Sequence, residues 1–104
     1  MVYYLYWCPD GWLHVFEFDA EKSRANEWKH GIDFVEAQEL WGDERRYDIP
    51  ARPGAEVRRM AIGAVAGRIW TAVYTRRGER IRVISVRRAR REEIRSYEAG
   101  EDHS

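Results

Sequence analysis

The 104-residue sequence predicts an α+β fold: a central antiparallel β-sheet, two N-terminal helices packed together on one face, and a short C-terminal helix. Three observations carry this prediction. Between residues 57 and 88, three strand-like runs are separated by Ala66-Gly67 and Gly78-Glu79, pairs compatible with tight hairpin turns. Between residues 19 and 42, Asp19 with Gly31 and Asp33 with Glu36 mark two helices, the second with apolar residues at helical spacing. The first eighteen residues hold two aromatic-rich runs around a turn.

Taken in order, Val2 to Trp7 and Trp12 to Phe18 should form a hairpin about Cys8-Pro9-Asp10-Gly11. Asp19 is placed as the N-cap of a helix through His30, with Gly31 at its left-handed end. Asp33 and Glu36 have capping-box spacing, and the helix they open puts Phe34, Ala37, Leu40 and Trp41 on one stripe before stopping near Gly42. A polar stretch over 43–56 follows, with one short strand around Arg46–Ile49. The meander runs over 57–65, 68–77 and 80–88, and a helix over 90–97 closes a single domain of residues 1–104. The tail from residue 99 onward reads as flexible. Pairing the last two strands about Gly78-Glu79 puts Thr75, Arg77, Arg82, Ile84 and Val86 on one face. Trp70, Ala72, Tyr74, Val83, Ser85 and Arg87 then fall on the other. Strict alternation thus separates Arg82 from Arg87, unless the strand twists, bulges or ends between them.

A formal net charge of zero conceals an asymmetry. Residues 1–50 carry five Lys and Arg against eleven Asp and Glu; residues 51–104 carry thirteen Arg against seven. Nine of those arginines fall within 76–95, a cluster suited to a polyanion or an acidic protein partner, or to a solvated face answering the acidic half. The basic residues of this half are all Arg, whose planar fork grips phosphate and carboxylate bidentately. One cysteine, Cys8, excludes an internal disulfide framework, and no Cys/His grouping has zinc spacing. No signal peptide or membrane span is expected, so a cytoplasmic location is.

Phe16-Glu17-Phe18-Asp19, Lys22, Asn26, Lys29-His30-Gly31, Phe34 and Glu36-Ala37 resemble the opening signature of BrnT toxins. So do Ile62-Gly63, Thr75, Arg77, Arg82 to Ala89, Glu93 and Tyr97 in the second half. The resemblance covers residues 16–98 and leaves 1–15 as a hairpin extension. It implies a RelE-like fold, ribonuclease activity that inhibits translation, and a complex with a ribbon–helix–helix antitoxin, BrnA, through which operator DNA is reached. Phe18 stands where that family commonly has Trp, Val86 where it has Ala, and Arg90 where Thr or Ser often caps the last helix.

Cleaving RNA without a metal or cofactor requires a base for the 2′-OH, cations for the phosphorane and an acid for the leaving oxygen. His30 can supply the proton transfer or merely compensate the helix dipole, and Lys29 can contact phosphate or do the same. Arg82 and Arg87 are the expected catalytic clamp, with Arg77 and Arg88 binding RNA; all of them could instead meet antitoxin carboxylates. Tyr97 can give a phenolic proton or pack with Ile94 against the sheet. Glu36 and Glu93 can orient an arginine or form surface pairs. His14 and His103 read as incidental, and Trp12, Trp28, Trp41 and Trp70 as packing rather than base stacking. The competing reading is a non-catalytic module that uses the arginine surface only for an acidic partner.

Overall fold

A computed structural model describes residues 1–8, 11, 13–51 and 57–100. The strands are β1 (Val2–Trp7), β2 (Leu13–Phe18), β3 (Tyr47–Pro50), β4 (Arg59–Val65), β5 (Arg68–Arg77) and β6 (Arg80–Arg88). The helices are α1 (Ala20–His30), a 3-10 helix (Glu36–Gly42) and α2 (Arg91–Ala99). The strands form one sheet in the order β1-β2-β6-β5-β4-β3. The expected hairpin and meander are both present, and the polar stretch contributes the edge strand β3. Trp12, part of the expected N-terminal turn and His103 lie outside the described residues.

Three expectations need correction. The sheet is antiparallel except where β2 meets β6, which run parallel, with Val15, Phe16 and Glu17 opposite Arg80, Ile81 and Arg82. The second expected α-helix is a 3-10 helix. Asp33 accepts from the N–H of its first residue, Glu36, at 2.7 Å, while the N-cap position itself falls to Val35, which makes no side-chain bond. Nor are the two helices packed chiefly on each other: α1 lies against β6 and the 3-10 helix against β4. The 3-10 helix seats Leu40 against Gly63 of β4, where an added Cβ would meet Leu40 and Arg46 at 3.1–3.2 Å.

α1 borders β6 by a different principle. β2 pairs with β6 only as far as Arg82, so the edge of β6 beyond it needs other partners. Asn26 supplies them: its Nδ2 donates to Val86 O at 2.9 Å and its Oδ1 accepts from Val86 N at 3.1 Å, as a strand neighbour would. The same Nδ2 also donates to Ile32 O, and Ser23 Oγ accepts from Phe34 N. The buried residues of α1 are therefore Ser23 and Asn26, both polar, and Trp28 points outward at 93% exposure, contrary to the expected packing role.

The core lies on one face of the sheet. Phe16, Phe18, Phe34, Trp41 and Tyr74 meet there edge-on, with ring centroids 5.0–5.6 Å apart. Ala61, Trp70, Ala72, Ile81, Val83 and Val86 complete it. On the other face, α2 covers the β3–β4 side, packing Tyr97 with Tyr47 and Ile62. Beyond α2, that second face carries charged residues on β5 and β6 and the exposed outward side chains of β1. Among the described residues, no helix is long and apolar enough to cross a membrane.

Candidate functional site

The pairing of β5 with β6 resolves the tension between Arg82 and Arg87. Val73 pairs with Ser85 and Tyr74 with Val83, so Ile84 is an extra residue in β6. A bulge of this kind shifts the alternation by one. Arg82 then sits opposite Thr75 and Arg87 opposite Thr71, two β5 residues four apart and hence on the same face. Val86 turns into the core, while Ser85 and Arg87 leave the face that uninterrupted alternation gives them. Arg77 and Arg80 pair across the hairpin end of the same face, which therefore carries a row of Arg77, Arg80, Arg82 and Arg87.

Two buried carboxylates hold three of these four arginines. Glu93, on the first turn of α2, accepts from Arg87 through both oxygens, at 2.8 and 3.0 Å, and from Thr71 Oγ1 at 3.0 Å. It also accepts from the Arg90 N–H at 2.7 Å, one half of a capping box whose other half the Arg90 side chain, a donor only, cannot make. Burial pushes the Glu93 carboxyl up, but the hydrogen bonds from Arg87, Arg90 and Thr71 together outweigh it and hold it below its ordinary value. Glu17 on β2 lies 3.0 Å from Arg82 and 3.2 Å from Arg80. The contact with Arg80 is ionic only, since Glu17 Oε1 makes no hydrogen bond. Four guanidinium groups thus face two carboxylates, and the row keeps a positive excess.

Beside Arg82, an open cleft of about 100 Å³ is lined by Asp19, Lys22, Arg58, Thr75, Arg82 and the bulge residues Val83 and Ile84. Three cations converge on it. Asp19 is committed to capping α1, and bonds from the Lys22 and Glu21 N–H groups lower its pKa.

The other expected site residues are placed differently. Tyr97 lies one turn beyond Glu93 and donates its phenolic proton to Asp43 Oδ2 at 2.5 Å, an atom that also accepts from Ala64 N. Burial, then the bond to Asp43, pushes this phenol up to about 12. Arg88 pairs with Trp70 on the core side of the sheet and lies 5.5 Å over its ring. Lys29 and His30 occupy the last turn of α1, Lys29 exposed and His30 half-buried. Among the described residues, no hydrogen bond or ion pair joins either of them to the arginine row. Sequence reasoning missed Glu17, Arg80, Thr71, Lys22 and Arg58 as members of the site. The legible signal was a glutamate set between the two core aromatics Phe16 and Phe18. One carboxylate group close enough to share a cation, Glu27, Asp33 and Glu36, shares no residue with the arginine face.

No curated protein matches the chain. A family model described as "Ribonuclease toxin, BrnT, of type II toxin-antitoxin system" matches residues 18–93. The match takes in Lys22, Thr71, Arg77, Arg80, Arg82, Arg87 and Glu93, and leaves β1 and almost all of β2 outside it. Covering well over half of the sequence, it shows that the chain belongs to the BrnT family of ribonuclease toxins of type II toxin–antitoxin systems.

Proposed function

We propose that this chain is an endoribonuclease that cuts RNA without a metal, clamps the RNA backbone on its arginine row, and so stops translation in the cytoplasm. One observation carries the reading: the bulge at Ile84 puts Arg82 and Arg87 on the same face as Arg77 and Arg80. Guanidinium groups fixed by buried carboxylates stay in place as negative charge develops on phosphorus, so little reorganisation is needed in the transition state. The 2′-oxygen attacks the adjacent phosphorus, the bond to the 5′-oxygen breaks, and a 2′,3′-cyclic phosphate and a 5′-hydroxyl result. Arg82 and Arg87 stabilise the phosphorane, and Arg77 with Lys22 and Arg58 grips neighbouring phosphates. His30 and Lys29 are the remaining groups for proton transfer or an added phosphate contact, brought to the substrate at the end of α1. The low acidity of Tyr97 fits packing better than proton donation, and Arg88 serves RNA only outside the clamp.

The type II family implies an antitoxin partner. We assign it to the ribbon–helix–helix BrnA type, covering the arginine row with carboxylates and reaching operator DNA through its own fold. Initial cleavage rates on labelled RNA with and without EDTA test the activity. Full activity in EDTA supports metal independence, and loss of activity in EDTA overturns it. A second reading, an arginine surface that only binds an acidic partner, draws on the existing pairing of Arg82 and Arg87 with Glu17 and Glu93. Absence of cleavage by pure, folded chain, with tight antitoxin binding retained, would favour it.

A further inference from the structure

We infer that the exposed face of the β1–β2 hairpin is a stacking platform for the unpaired bases of the RNA whose backbone lies on the arginine row, an inference that rests on the RNA reading above. Tyr3 pairs with Glu17, Leu5 with Val15 and Trp7 with Leu13, and Glu17 pairs with Arg82. Paired residues share a face, so the outward side chains of β1 continue the arginine row across β2. The opposite side of β1 leans on the core: Val2 and Tyr6 are half-buried, Tyr6 meets Phe16 edge-on, and Tyr4, 38% exposed, stacks on Phe18. The outward side is open, with Tyr3 at 54%, Leu5 at 67% and Trp7 at 66% exposure. Clustered large apolar side chains of this kind rarely face water without a partner.

The chemistry of the neighbourhood selects the occupant. Arg80 lies 5.3 Å over the Tyr3 ring, which sets a guanidinium directly against a flat apolar surface where row and hairpin meet. An acidic protein would satisfy the guanidinium groups without offering planes to the rings. A nucleotide brings an anion and a plane together, and base–aromatic stacking beside a basic groove is how sheets hold single strands. Alternate strand positions are about 6.8 Å apart, twice the roughly 3.4 Å rise of a stacked strand, so bases held there are splayed. The platform therefore takes single-stranded RNA and rejects a duplex, whose bases are already stacked. The hairpin lies almost wholly outside the family-matched residues, so it extends the substrate grip beyond what the family match accounts for.

The test measures affinity of the full chain for a short single-stranded 2′-O-methyl RNA, which cannot be cut by 2′-OH attack, and for the same sequence as a duplex. Trp7→Leu keeps apolar area without a plane, and Trp7→Phe keeps the plane. The expected results are single-strand preference, a loss of about 5- to 150-fold for Trp7→Leu, and near-wild-type affinity for Trp7→Phe. The slope of log affinity against log salt should stay unchanged in Trp7→Leu and become shallower in Arg77→Gln, because only the latter removes a phosphate contact. Equal RNA affinity for Trp7→Leu and wild type overturns the platform and leaves the RNA reading intact. Weakened antitoxin binding with unchanged RNA binding assigns the patch to the protein partner and likewise overturns it. A wild-type chain that binds no RNA removes both readings together.

Discussion

Arg87 holds Glu93 through both carboxylate oxygens, at 2.8 and 3.0 Å, and this pair joins the last strand to the last helix. The same glutamate accepts from Thr71 and from the Arg90 N–H, so four hydrogen bonds end on one buried side chain. Removing Arg87 leaves a buried anion short of its main counter-charge. Arg87→Ala should therefore lose about 2–4 kcal/mol of stability, more than an exposed arginine would. Adding Glu93→Gln should restore part of it, because the orphaned charge is gone. Denaturation midpoints of the two single variants and the double variant measure this. A loss below about 1 kcal/mol in Arg87→Ala would show the pair to be an ordinary surface contact.

Acid should act on the same pair. The folded-state pKa of Glu93 lies below its ordinary 4.5, so the folded protein holds the charged form more firmly than the unfolded chain does. That contribution is complete above the ordinary value and is lost as pH falls through the depressed one. Tyr74 and Tyr97 have the opposite sign. Both phenols are raised from 10.0 to about 12, by burial first and then by hydrogen bonds to Asp48 and Asp43. Their contribution is complete below pH 10 and is lost as pH rises toward about 12. Tyrosinate absorbance should show these two rings ionising well above the ordinary 10.0, and stability should fall over the same interval. Ionisation of all the tyrosines near their ordinary value, in the folded protein, would contradict this.

What the sequence could and could not reveal follows from the range of each interaction. Asp19, Gly31, the Gly78-Glu79 turn and the limits of β5 and β6 are local signals, each found where the pattern places it, whereas β4 begins at Arg59, two residues later than expected. The 3-10 helix was misjudged because its apolar stripe of Phe34, Ala37, Leu40 and Trp41 also fits an α-helix. The bulge is invisible to a period-two reading, since one added residue at Ile84 changes no composition but exchanges the faces of Val86 and Arg87. Glu17 escaped notice because its partner Arg82 is 65 residues away, across a parallel pairing that no hairpin turn announces. Trp7 attracted no attention as one strand aromatic among many, and only the register shows it on the outward side.

Asn26 offers a test of how α1 is fastened. Its side-chain amide serves Val86 N, Val86 O and Ile32 O, all buried. Asn26→Asp turns both donated bonds into oxygen facing oxygen while leaving size unchanged. A cost of about 3 kcal/mol or more is expected from the unsatisfied groups. The Val86 amide should remain slow to exchange in Asn26→Asp, which keeps an acceptor, and become fast in Asn26→Ala, which does not. Hydrogen exchange of that amide decides the matter; protection equal to wild type in Asn26→Ala would mean that the strand edge is covered by something else.

The proposed arginine clamp needs substitutions that separate chemistry from folding, because alanine at Arg87 strands the Glu93 carboxylate and alanine at Arg82 leaves Glu17 only its ion pair with Arg80. Lysine keeps a positive charge opposite Glu17 or Glu93 but loses the planar two-pronged grip. Arg82→Lys and Arg87→Lys should therefore cost less stability than the alanine variants, about 1–2 kcal/mol. Removing one fixed transition-state contact should nonetheless slow RNA cleavage on the order of 10²–10³-fold. Arg77→Gln, exposed at the hairpin end, should weaken substrate binding more than the chemical step. Lys29→Ala and His30→Ala should slow cleavage to a smaller degree if α1 delivers them to the substrate, and leave it unchanged if they only compensate the helix dipole. The measurement is the single-turnover cleavage rate in EDTA beside a denaturation midpoint for every variant. Lysine variants that fold normally and cleave at the wild-type rate would remove Arg82 and Arg87 from the chemistry and leave them as the fastenings of β2 and α2 to the sheet.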